Sequence, residues 1–137
     1  MSVDNFLDSN LFVYLFDRKA EDKRQRAKEL VHTHMSKGSA CISYQVVQET
    51  MKVFLRTGAS HEEAHLFFNT VLSPFWTVNP TRALYRCGFD IQTRYHFSFY
   101  DSLIVAAALE AGCKTLLTED LQDKQTIEGL TVRNPFT

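Results

Sequence analysis

Apolar residues in this chain fall into short runs, and stretches with helical spacing lie between them. Val3 to Leu7 reads as a first strand that Asp8 ends. Ser9 and Asn10 are residue types that open helices, so the run LFVYLF after them predicts a short buried helix. Charge of both signs fills Asp17 to Glu29. Ala27, Leu30, Val31 and His34 then supply a stripe that predicts a helix over 21–36, stopped by Gly38. SACIS predicts a second strand. Ser43 is placed to cap a helix over 44–56 that turns Val46, Val47, Thr50, Val53 and Phe54 inward and ends at Gly58.

Ser60 and Glu63 have capping-box spacing and open a helix to about residue 72, which Ser73-Pro74 breaks. Phe75 to Val78 predicts a strand, and Pro80-Thr81 starts a helix through about Arg94. Ser98 and Asp101 are a second capping-box pair. They open an Ala-rich helix that buries Leu103, Ile104, Ala107 and Ala108 and closes at Gly112. Lys114 to Thr118 and Leu130 to Arg133 are the last strands. Short strands separated by helices predict an α/β architecture with a parallel sheet. With no repeat or linker, 1–137 reads as one domain around one core.

Composition narrows the classes. The chain is 45% hydrophobic with 11 Phe, which excludes disorder. Net charge is -1, so the electrostatic signature of a passive nucleic-acid coat is missing. A nuclease stays open, because bound cations reverse a local field. Three cysteines without a CxxC pair argue against a zinc knuckle or a disulfide framework and suit a reducing cytoplasm. The start shows no basic-apolar leader. The longest apolar run, SLIVAAALEAG, is too short to span a bilayer and contains Glu110, so no membrane role is expected.

Four acids stand where elements begin or end: Asp8, Glu49, Asp101 and Asp120. Charge beside a core is costly unless it is paired, hydrogen-bonded or metal-bound. Asp8 and Asp120 each follow a strand, and ligands of open parallel sheets sit beyond the carboxyl ends of strands. Glu49 borders the buried face of its helix, and Asp101 lies in a first turn near free N–H groups. Such oxygen donors suit Mg²⁺ or Mn²⁺ and metal-assisted hydrolysis. The alternative is that each is a helix cap, with Asp101 the acidic arm of the Ser98 box; spacing alone does not bring the four together.

Other candidates are less specific. HEEAH, from His61 to His65, matches the H-E-x-x-H zinc pattern, but without a third ligand, and exposed helix histidines are the alternative. Arg18, Lys19 and Arg24 in the densest basic run, with Arg82, Arg86 and Arg94 as a second rim, are candidates for RNA phosphates. Interspersed acids leave a plain solvated face as the alternative. Phe97, Phe99 and Tyr100 precede Asp101 and are candidates for stacking on a base, or for the core. No GxxxxGK, GxGxxG or nucleophile elbow occurs.

With these motifs in order (FLDSN, SYQVVQE, SFYDSLIVAAAL, LLTEDL and a closing VRNPF) nearly the whole chain resembles a PIN domain. The compact form is most similar to VapC-type toxins. The resemblance implies a three-layer α/β/α fold with a mainly parallel sheet of four or five strands. It implies a Mg²⁺- or Mn²⁺-dependent endoribonuclease acting on single-stranded regions of RNA. Asp8, Glu49 and Asp101 would be the central acids, and Asp120 the fourth. Ser9 and Thr118 match supporting hydroxyl positions and Asn10 a polar one, while Glu119 or Asp123 would share the fourth role. It also implies a homodimer and a cognate antitoxin, for which Phe12, Tyr14, Leu15, Phe16, Val47, Met51 and Phe54 are candidate groove residues. The rival is a non-catalytic RNA-binding or RNA-processing adaptor with the same fold.

Overall fold

The computed structural model describes residues 3–137. Its elements are β1 (Asn5–Leu7), α1 (Ser9–Val13) with a 3-10 turn (Tyr14–Phe16), α2 (Glu21–Lys37), β2 (Ala40–Ser43) and α3 (Tyr44–Arg56). Then come α4 (His61–Phe67), β3 (Trp76–Val78), α5 (Arg82–Tyr95), α6 (Phe99–Glu110), β4 (Thr115–Leu117), β5 (Thr126–Ile127) and β6 (Leu130–Arg133).

The strand order is β3-β2-β1-β4-β6-β5. From β1 the chain steps one way to β2 and β3, then crosses back to β4 and β6, all in parallel. Right-handed crossovers in opposite directions place their helices on opposite faces of the sheet. α1 to α4 therefore cover one face, and α5 and α6 the other. The reversal lies between β1 and β4, which pair Leu7 with Leu117. Asp8 and Thr118 are the next residues of these two strands, so the topology itself puts them side by side at the switch point.

The core is continuous across the sheet. Phe6, Leu7, Ile42 and Leu116 are fully buried in the strands, with Leu11, Phe12, Val46 and Leu84 from the helices. α6 is buried from Ser102 through Ala108, which explains its run of small and apolar residues. Its packing on α5 depends on Gly88, where a Cβ would lie 2.7 Å from Leu103 Cδ2.

Sequence and structure part at several places. Ser43 holds the N-cap position of α3, but its side chain makes no cap bond and its Oγ is buried without a partner. The helix read from Ser60 to residue 72 is α4 followed by a π-helical turn, Phe68–Leu72. β5 is an additional two-residue strand, antiparallel to β6. Its turn needs positive φ at both Glu128 (51°) and Gly129 (88°), and a glutamate gives no sign of that in a sequence. No helix among the described residues is long and apolar enough to cross a membrane.

Candidate active site

Asp8 is 4% exposed. Its Oδ1 accepts the Ser9 N–H at 2.7 Å, capping α1, and its Oδ2 accepts the Thr118 hydroxyl at 2.8 Å. Thr118 Oγ1 in turn accepts the Asp120 N–H at 3.0 Å and the Asn10 side-chain amide at 3.2 Å. The same amide nitrogen donates to Asp120 Oδ2 at 3.2 Å. Asp8, Asn10, Thr118 and Asp120 thus form one network across the β1–β4 seam. Asn10 Oδ1 is buried without a partner.

Glu49 is half-buried on α3. Gln45, one turn earlier, donates to Glu49 Oε2 at 3.4 Å and to the Tyr100 carbonyl at 3.1 Å. The Ser9 hydroxyl also bonds Glu49. Asp101 stands in the first turn of α6, where its N–H donates to Ser98 Oγ at 3.1 Å. Only this arm of the expected capping box forms; the reciprocal bond that Glu63 makes in α4 is not made here. The carboxyl of Asp101 is therefore not committed to backbone capping.

Electrostatics ties the four acids together. Burial pushes the Asp8 carboxyl up to about 7 against the hydrogen bonds of Thr118 and Ser9, and the charges of Asp120 and Glu49 add to the rise. Burial also raises Glu49, with Asp101 and Asp120 repelling it. Burial raises Asp101 against a hydrogen bond from the Ser98 side chain, and the charge of Asp120 adds to the rise. None of the four is in a salt bridge among the described residues. This is a concentration of negative charge without protein cations.

No three His, Cys, Asp or Glu among the described residues are grouped so as to hold one ion directly. The donor chemistry still fits Mg²⁺ or Mn²⁺. Magnesium keeps several waters and takes only one or two carboxylates directly, leaving the others to bind those waters. The orphaned Asn10 Oδ1 is a further oxygen acceptor beside Asp120.

The other sequence candidates separate clearly. Glu119 turns away: it accepts the Tyr14 hydroxyl, and Lys23 Nζ at 3.0 Å. Asp123 accepts the Asn134 N–H at 2.9 Å and fixes the end of β6. Arg24 is paired with Glu21, and Arg94 with Glu128. Arg18 and Lys19 are exposed at a groove of about 780 Å³. Arg82 and Arg86 are exposed on α5 without a salt bridge among the described residues. The His61 and His65 rings meet edge to face, 4.4 Å apart, on an exposed helix. Of the aromatic candidates, Phe99 and Tyr100 are exposed, while Phe97 packs on the core. Gln45 was not singled out by sequence reasoning. Its signal was a polar residue four before Glu49 in an otherwise apolar first turn.

Solved structures share this fold. A toxin–antitoxin complex from Klebsiella pneumoniae superposes with a TM-score of 0.69 at 21% identity, covering 96% of this chain and 98% of that one. FitAB bound to an IR36 DNA fragment gives 0.64 at 16% identity, covering 97% and 96%. VapC20 of Mycobacterium tuberculosis, a sarcin–ricin loop cleaving toxin, gives 0.58 at 21% identity, covering 82% and 87%. The chain matches no curated protein. The family model for the PIN domain matches residues 6–126. The chain therefore belongs to the PIN domain family, whose members are generally nucleases and typically use divalent metals.

Proposed function

We propose that this protein is a Mg²⁺- or Mn²⁺-dependent endoribonuclease and the toxin of a toxin–antitoxin pair. The observation that carries the reading is the Asp8–Thr118–Asn10–Asp120 network, with Glu49 and Asp101 beside it and no cation of the protein to neutralise it. Asp8, Glu49, Asp101 and Asp120 would hold the metal. When bound, such an ion polarises a phosphoryl oxygen and lowers the pKa of a water.

The protein's own groups set the charge there. The Thr118 hydroxyl donates to Asp8 Oδ2 and the Ser9 N–H to Oδ1, so the two bonds together fix the plane of the Asp8 carboxyl. The Asn10 amide holds Asp120 against the same hydroxyl. Gln45 steadies Glu49. These bonds place acceptor oxygens before a substrate arrives, which is the preorganisation that catalysis by charge requires.

Partners follow from the same reading. An amphipathic antitoxin helix would fit the groove between the 3-10 turn and α3, lined by Leu15, Phe16, Val53 and Phe54 with Arg18 on its rim; of the other residues expected there, Phe12 is fully buried, Val47 and Met51 pack on the core, and Tyr14 turns to Glu119. The groove's Phe16 and Phe54 rings meet edge to face at 5.2 Å, and Phe67 stacks on Phe54 at 4.5 Å. The toxin–antitoxin complex of similar fold supports this. A homodimer through α2 and α3 completes the proposal, with the exposed Leu55 among its contacts. Light scattering at low micromolar concentration would return twice the chain's mass; one chain's mass would defeat the dimer.

The decisive experiment is cleavage of a broad labelled RNA panel with Mg²⁺, with Mn²⁺ and with EDTA. Metal-dependent cleavage that Asp8→Asn and Asp101→Asn both abolish is expected. Activity persisting in both variants would place the chemistry elsewhere. Silence across the panel would favour a non-catalytic adaptor. Growth arrest on expression, relieved by the neighbouring gene, tests the toxin assignment; harmless expression of a demonstrably active enzyme would refute it.

A further inference from the structure

The first turn of α6 carries more than Asp101. Phe99 and Tyr100 precede it, and these residues are 37% and 63% exposed. Phe89 of α5, 51% exposed, stacks on Phe99 with centroids 6.3 Å apart and planes 26° from parallel. Phe99 meets Tyr100 edge-on at 5.3 Å. A connected row of large rings left in water marks a binding surface more often than a chance exposure.

The row is held in place by the fold. Gly88 lets α5 close on Leu103 of α6, which brings the neighbouring Phe89 over Phe99. Buried Gln45 ties the row to the acids, since its amide nitrogen donates both to the Tyr100 carbonyl and to Glu49. Tyr44 and Tyr85 join hydroxyls at 3.2 Å, and Tyr85 lies one helical turn before Phe89. Arg82, Arg86 and Phe89 are spaced i, i+4, i+7 along α5 and so share a face. Both arginines are exposed and lack a salt bridge among the described residues. Flat rings beside unpaired cations match the recognition of single strands, in which bases stack and phosphates meet positive charge. A duplex keeps its base faces covered.

We propose that the Phe89–Phe99–Tyr100 ridge is a stacking platform for an unpaired nucleobase next to the scissile phosphodiester, with Arg82 and Arg86 meeting the adjoining phosphates. The cleavage half of this inference rests on the nuclease reading above; the binding half does not. The platform makes the substrate a single strand or an open loop, with one base turned out of its stack beside Asp101.

The test is fluorescence anisotropy of a dye-labelled single-stranded oligoribonucleotide with the full chain in EDTA, beside cleavage kinetics with Mg²⁺ and light scattering. Tyr100→Ala weakens strand binding about tenfold, the scale of one stacked base. Tyr100→Phe restores it, Phe99→Ala weakens it, and a duplex of the same sequence is insensitive to all three. In cleavage, Tyr100→Ala raises KM and leaves kcat near the wild-type value. A wild type that cleaves while Tyr100→Ala and Phe99→Ala bind as it does would overturn the platform and leave the nuclease standing. Tyr100-dependent binding without any cleavage would uphold the platform and remove the nuclease. A wild type that does not bind the strand overturns the platform. So does a Phe89→Ala or Tyr100→Ala variant that turns a dimer into a monomer, because the ridge then belongs to a second copy.

Discussion

Glu119 and Asp120 are adjacent in the chain and have opposite surroundings. Glu119 sits in a closed corner: Tyr14 gives it a hydroxyl proton, Lys23 gives it an ammonium, and Lys23 also lies over the Tyr14 and Phe136 rings. Asp120 faces the other way, toward Asn10, Thr118 and three further carboxylates. In the corner every charge has its counter-charge. At the edge none of the four acids is ion-paired among the described residues. An ion-paired acid is compensated where it stands, whereas a group of hydrogen-bonded acids without counter-charge destabilises a fold and is kept for what it binds.

The largest effect should come from breaking the edge. Asp8→Asn or Asp101→Asn should lower metal-dependent RNA cleavage on the order of a hundredfold or more, since loss of supporting groups alone costs up to about that at metal sites. Single-turnover cleavage rates at saturating Mg²⁺ check this.

The next effect is on stability against pH, without metal. The Asp8 carboxyl titrates near 7 in the fold and near 3.8 when unperturbed. Between those values the folded state binds more protons than the unfolded one, so stability falls as pH rises through this window. The full loss is roughly 4 kcal/mol at 1.36 kcal/mol per unit. Glu49 and Asp101 are raised too and act in the same direction. Urea unfolding in EDTA from pH 4 to 8 should show the decline, and Asp8→Asn should flatten it. A stability that climbs with pH would mean that burial does not hold the Asp8 carboxyl up.

How much of this contrast was visible in the sequence depends on the residue. Asp8 and Asp120 were legible because a strand ends just before each region, and parallel register then fixes their edge. Asp101 was legible as a first-turn acid, but whether its carboxyl capped the helix or stood free was a matter of geometry. Glu119 was not separable from Asp120, because only the fold brings Tyr14 and Lys23 to meet it across about a hundred residues of chain. Gln45 and the Phe89–Phe99 stack were hidden for the same reason: each depends on contacts between helices that no local pattern encodes. β5 was missed because its turn sets a glutamate at positive φ.

Smaller effects should come from the corner. Tyr14→Phe removes one hydroxyl from Glu119 and should cost about 1 kcal/mol of stability. Cleavage should change little, because Lys23 still holds Glu119. A large loss of cleavage with intact stability would mean that the corner positions the edge rather than merely closing beside it. Least of all, Arg94→Ala breaks an exposed pair with Glu128 and should cost under about 1 kcal/mol in thermal unfolding.

That this edge of acids without counter-charge binds a divalent cation can be read from calorimetric titration of the metal-free protein with Mn²⁺ at pH 8, without any RNA. Saturable binding is expected, which Mg²⁺ displaces, Asp8→Asn abolishes and Tyr14→Phe leaves intact. Binding unchanged in Asp8→Asn, or no binding at millimolar Mn²⁺, would contradict it.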